Sequence, residues 1–175
     1  DNDPARFLSY FVAALQQIAP TCGQAVQSAL AAANPPPVAV LMGALANELL
    51  VLPEELLLVL DDFHTIDDDA VHGAIQTLVT HQPPQLHLLF VTREGPQHAI
   101  VPVLERTRWE SLAPAVDTVY WQDSDGYEAA FQALARRLAP GRIGVEGQRM
   151  RVFEAEAIRT AFPAARIVDA HAAIS

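Results

Sequence analysis

Apolar residues recur at helical spacing through the first quarter of the chain, and near residue 56 the spacing changes. Phe7, Phe11, Leu15 and Ile18 repeat at threes and fours behind Asp3 and Pro4, predicting a helix with an aspartate cap and proline in its first turn. TCGQAVQSALAAAN reads as a second, alanine-rich helix ended by the prolines at 35–37. PVAVLMGALANELLVL reads as a third helix through Leu41, Leu45, Leu49 and Leu52, stopped by Pro53. LLLVL at 56–60 has no period at all, as expected of a strand buried on both faces of a parallel sheet. An aspartate-capped helix with Val71, Ile75, Leu78 and Val79 on one side follows, and then LHLLFVT, a second buried strand.

Beyond Arg93 the segments become shorter. HAIVPV reads as a short strand, so that 86–103 forms a hairpin, with LERTRWESLAP as a helix and VDTVYW as a strand. A helix carrying Tyr127, Phe131, Leu134 and Leu138 comes next, followed by GRIGVEG as a strand, MRVFEAEAIRTAF as a helix and ARIVDA as a last strand. The fold class is therefore α/β: a mixed or mostly parallel sheet flanked by helices, with two half-domains joined near 90–100 as one form it can take.

Charge supports a division at that point. Residues 1–95 carry 2 Arg and 11 acids, a net −9, whereas 96–175 carry 9 Arg and 10 acids, a net −1. The 175-residue chain has no lysine, and its net charge of −10 argues against nucleic-acid binding by this chain, because phosphate neutralisation dominates that affinity. No apolar run reaches the roughly 18 residues of a membrane span, and no signal peptide opens the chain. The single Cys22 permits no internal disulfide and fits a reducing, cytoplasmic setting. A start at Asp1 without methionine predicts a fragment.

The chemistry centres on LLLVLDDFH. An apolar strand ending in two acids is the Walker B arrangement: a rigid strand holds Asp61 at a magnesium ion and Asp62 at the attacking water. The alternative is that both aspartates cap the turn after the strand. DNDPARFLSYFVAALQQIAP, with LLLVLDDFHTIDDDAVHGAIQTLVTHQPPQLHLLFVTRE, resembles the ATPase domain of large MalT-like, LuxR-type transcriptional regulators over about 1–95. That resemblance implies a sensor at Thr92 and Arg93, near a terminal phosphate. His64 is either a family-typical residue or a polar residue approaching the next helix. The family's phosphate loop, ending in Lys-Thr or Lys-Ser, has no counterpart in a chain without lysine. ATP hydrolysis by this chain alone is therefore not expected. Asp61, Asp62, Thr92 and Arg93 read as vestigial, and Mg-ATP enters only if an upstream phosphate loop is supplied.

GPQHAIVPVLERTRWESL and the stretch from VDTVYWQDSDGYEAAF to the closing VDAHAAIS resemble the amino-terminal domain of creatinase/prolidase-type, proline-specific aminopeptidases over about 90–175. The resemblance implies a non-catalytic domain that packs near an active site carried elsewhere, with the metal ligands in a separate carboxyl-terminal domain. His98, His171, Glu146 and Asp169 are widely separated in sequence and read as scattered surface residues. Asp123 and Asp125 read as a helix cap, since calcium-loop spacing is missing.

The expectation is a chimera: a truncated ATPase segment at 1–95, and at 96–175 the back half of an aminopeptidase amino-terminal domain. It has no self-contained catalysis and no cofactor, and acts at most as a packing or interaction module. Two other readings stay open: the non-catalytic part of a metal-dependent proline-specific aminopeptidase, and part of an ATP-dependent regulator. Partners left open are a second copy or flanking domains, with no membrane and no nucleic acid.

Overall fold

The computed structural model describes residues 3–61, 66–81, 83–91, 128–147 and 150–171; within these, the side chains of Asp61 and Val91 are not described. The element order is α1 (Pro4–Ile18), α2 (Gln24–Leu30), α3 (Val38–Leu49), β1 (Leu56–Asp61), α4 (Asp69–Thr80), β2 (Leu86–Val91), α5 (Glu128–Ala135), β3 (Arg142–Val145), α6 (Val152–Ala161) and β4 (Arg166–Asp169).

The caps read from sequence are in place. Asp3 accepts from the N–H groups of Ala5 and Arg6, both at 3.0 Å. Asp68 does the same for Ala70 and Val71, at 2.9 and 3.0 Å. Each carboxylate satisfies donors that have no partner inside the helix. Two helices are shorter than their patterns predict. Gly23, at φ +76°, sits ahead of α2, so the helix starts at Gln24 and not at Thr21. It ends at Leu30, before the run into three prolines, where helical backbone is disfavoured. α3 ends at Leu49, leaving Leu52 beyond it, partly buried against the core.

The four strands form one sheet in the order β2-β1-β3-β4, and all three pairings are parallel. Asp61 pairs with Val91, Leu58 with Gly144, and Val145 with Asp169. β1 of the first segment thus lies directly against β3 of the second. The hairpin expected over 86–103 is represented only by β2, which pairs in parallel with β1; its other strand, the helix at LERTRWESLAP and the strand at VDTVYW lie outside the described residues.

Alternation along β1 divides the core in two. Leu56 and Leu58, with Leu86 and Ala170, pack under α1–α4 together with Leu8, Leu15, Met42, Leu45 and Ile75. Leu57 and Val59, with Ile143 and Val145, pack on the opposite face with Phe131 of α5 and Ala157 and Ile158 of α6. A strand apolar at every position is required because both faces are covered. Gly144 permits the closest approach: a Cβ there would lie 3.1–3.3 Å from Leu58, Ala170 and Ile18, so its absence lets α1 settle onto β3.

Candidate functional site

Because every described strand runs parallel, their carboxyl ends meet along one edge. β1 connects outward to β2 through α4 on one face, and β3 connects outward to β4 through α6 on the other. The winding direction therefore reverses between β1 and β3. In open α/β sheets such a reversal leaves a crevice at the carboxyl ends, where ligands bind. This edge is the candidate site.

Asp61 is the last residue of β1, at the carboxyl edge and in register with Val91 of β2. The strand end read from sequence is thus where the topology puts the crevice. Asp62, His64, Thr92 and Arg93 lie outside the described residues, as do His98, Asp123 and Asp125.

The same edge holds acidic side chains that stand on different strands, as read from sequence, with their strand ends brought alongside each other by the register. Glu146 follows β3 and Asp169 ends β4, and parallel pairing brings them to neighbouring positions. Asp169 Oδ1 accepts from Gly147 N–H at 3.0 Å and from His171 N–H at 2.9 Å. Ala170 N–H donates to Val145 O at 2.8 Å, continuing the ladder past the strand end. His171 Nδ1 stands 3.9 Å from Glu146 Oε1, an ion pair when the imidazole is protonated. A Cβ at Gly147 would come within 2.7–2.8 Å of the Asp169 carboxylate, so a side chain there would push that carboxylate aside. The available signal was positional: RIGVEG and RIVDA each place an acid at the end of a short apolar run.

Chemically, Asp169 is an anchored acceptor, with one oxygen engaged by two backbone donors. Among the described residues, no group of three or more His, Cys, Asp or Glu is placed to hold a metal ion. A surface groove of about 750 Å³ runs beside this edge between α6 and β3–β4, lined by Met150, Phe162 and Ile167, with Arg159 and Asp169 as polar members. Arg159 is paired with Glu156 at 3.1 Å.

Cys22 lies away from this edge. It is buried, and burial, with Glu48 nearby, pushes its thiol up to about 11. Glu48 Oε2 accepts from Gly23 N–H at 2.6 Å, so the carboxylate beside the thiol is also the tie between α2 and α3. Among the described residues, no helix is long and apolar enough to cross a membrane.

Residues 80–175 match the creatinase/prolidase N-terminal domain family. The chain is also similar to proteins named HTH-type transcriptional regulator MalT. That of Cronobacter sakazakii is 37% identical over 102 residues, covering 57% of this chain and 11% of that protein. That of Serratia proteamaculans is 38% identical over 98 residues, 55% of this chain and 11% of that protein. The Yersinia enterocolitica protein is 37% identical over 99 residues, with the same two shares. The chain thus spans about a tenth of the length of these curated relatives. No solved structure matches. Each similarity takes in more than half of the chain, so the two share residues. The chimera expected from the motifs is what the comparisons find.

Proposed function

The chain belongs, through residues 80–175, to the creatinase/prolidase N-terminal domain family, and on that premise we propose that it is a non-catalytic packing and interaction module. The observation that carries this reading is the condition of the sheet's carboxyl edge. Where a ligand would sit, Asp169 is engaged by two backbone N–H groups and Glu146 faces His171. Asp61 stands at the same edge in a chain with no lysine to cradle a phosphate. An acidic edge without that cation repels a triphosphate, so the residues present do not fit Mg-ATP. In this reading Asp61 and Asp62 are a Walker B pair by descent, and Thr92 and Arg93 a sensor without its nucleotide.

The family match favours a more specific context: the non-catalytic amino-terminal part of a metal-dependent, proline-specific aminopeptidase, with catalysis in another domain. The similarity to MalT proteins supports the other context, a piece of a transcriptional regulator whose phosphate loop comes from elsewhere. A cytoplasmic setting accords with a single buried thiol in both.

Calorimetry with ATP and magnesium tests the first point, and no binding heat is expected. Micromolar binding that disappears in Asp61→Ala overturns it. Incubation with X-Pro peptides and manganese or cobalt should release no amino-terminal residue; turnover above a metal-only blank refutes the non-catalytic assignment.

A further inference from the structure

Two buried side-chain polar atoms among the described residues have no hydrogen-bond partner: Gln85 Oε1 and His87 Nε2. Such atoms are rare in folded proteins, since each forfeits its hydration, and the company of an ion or water is one physical account of them. These two stand two positions apart at the start of β2. Leu86 and Leu88 pack with the α1–α4 core, so Gln85 and His87 take the opposite face, as Leu89 does.

β1 brings a third polar side chain to the same corner. Leu56 N–H donates to Gln85 O at 2.7 Å, which extends the β1–β2 ladder before its first pair, Leu56 with Leu86. Glu55 therefore stands beside Gln85, as Leu57 does beside His87, on one face. Glu55 O accepts from Gly141 N–H at 3.0 Å, so the approach to β3 fixes its backbone from the other side. Glu55 Oε2 lies 3.4 Å from His87 Nε2, and no hydrogen bond joins them. An N–H···O bond normally spans roughly 2.7–3.2 Å. Two ligands of one tetrahedral cation keep a longer distance: with metal–ligand bonds of about 2.0–2.2 Å, they stand about 3.3–3.5 Å apart.

We infer that Glu55 and His87, with Gln85 beside them, form a binding site for a divalent cation of the zinc class. His87 Nε2 supplies an imidazole lone pair and Glu55 Oε2 a carboxylate oxygen. Gln85 Oε1 accepts a hydrogen bond from water that completes the shell. An imidazole among oxygen donors suits zinc better than magnesium or calcium, which take oxygen shells. Half of the Glu55 side chain is exposed, so the ion enters past the carboxylate. Two protein ligands are fewer than the three or four of a tight zinc site, and micromolar affinity follows. The site lies at the amino edge of the sheet, the opposite end from Asp61 and Asp169, and the bound ion clamps the starts of β1 and β2 together.

Isothermal titration of the full chain with zinc chloride tests it. One micromolar site is expected, and the melting temperature should rise as zinc fills it. His87→Ala and Glu55→Gln should each weaken binding roughly tenfold or more, and Gln85→Ala by a smaller factor. Cobalt in place of zinc should give the strong visible absorption of tetrahedral coordination, lost in His87→Ala. His171→Ala, at the other end of the sheet, should change neither readout. Should His87→Ala fail to fold by circular dichroism, Glu55→Gln, on a half-exposed side chain, decides by the same criterion. A chain that takes up no zinc overturns the inference and leaves an ordinary ion pair at this corner. Zinc binding that survives both substitutions, or falls equally in His171→Ala, overturns it too.

Discussion

Among the described residues, one face of the sheet carries four helices contributed by residues 4–80, and the other carries two contributed by residues 128–161. The first cover reaches all four strands, since Val168 and Ala170 at β4 pack with the α1–α4 core. The second has fewer fully buried side chains among the described residues, and Leu89 and Ile167 remain partly exposed beneath it. Neither described segment covers both faces by itself. Each supplies the lid for a sheet that the other helps to build, so a chain with two ancestries has one interlocked fold. Arg142 shows the dependence at one residue. Its Nη1 donates to Ile18 O at the end of α1 at 2.6 Å, and its Nη2 meets Glu54 Oε1 at 3.0 Å. A side chain of the second segment thus fastens two elements of the first.

Adjacent positions on β1 test the comparison most strongly. Leu58→Ala removes a side chain from the first core and Leu57→Ala from the second; each should cost about 2–5 kcal/mol, with Leu58→Ala the larger. Urea denaturation measures both, and an unchanged midpoint for Leu57→Ala would mean that the second face is no packed core. Gly144→Val sets a branched side chain into a gap already filled by Leu58, Ala170 and Ile18. It should cost about 1–3 kcal/mol through displacement of α1 from β3, read by the same titration.

Arg142→Ala should cost about 1–2 kcal/mol, mostly through the Ile18 carbonyl, because the half-exposed pair with Glu54 is worth less. A double-mutant cycle with Glu54→Gln should therefore show coupling below about 1 kcal/mol. A smaller effect, confined to the first face, comes from Cys22. Its thiol ionises near 11 in the fold against 9.0 ordinarily, so the folded state holds the proton more tightly. The resulting stability is intact below pH 9 and declines as pH rises from 9 toward 11. Thermal melts across that window should fall, and fall less in Cys22→Ala, whose residual fall comes from other groups. The smallest effect belongs at the carboxyl edge. Asp169→Asn keeps an oxygen for Gly147 and His171, so it should shift the urea midpoint by less than Asp169→Ala, which loses both contacts.

The elements were legible because their determinants are local. Asp3 and the aspartates ahead of α4 announced helix starts through donors that need acceptors, and the unbroken apolar run at 56–60 announced a strand covered on both faces. The ends of α2 were less legible, since an alanine-rich run favours helix throughout. The left-handed backbone at Gly23 is also tied to tertiary contact: a Cβ there would stand 2.6 Å from Val12 Cγ1. Of the candidate site, Asp61 at a strand end could be read from sequence, whereas Glu146 and Asp169 could not be placed together. Their meeting depends on the β3–β4 register, which no local pattern specifies.

By itself, then, the sequence determined two ancestries, an α/β pattern with its caps, and an acidic strand end without a phosphate-binding lysine. The tertiary structure decided that β3 pairs with β1, which makes one sheet of two segments, reverses the winding between them and gathers the acids at one edge. The physical reason is range. Helix capping and apolar periodicity act within a few residues, while parallel strand pairing joins backbone groups more than 80 positions apart and is chosen by how the covering helices fill both faces.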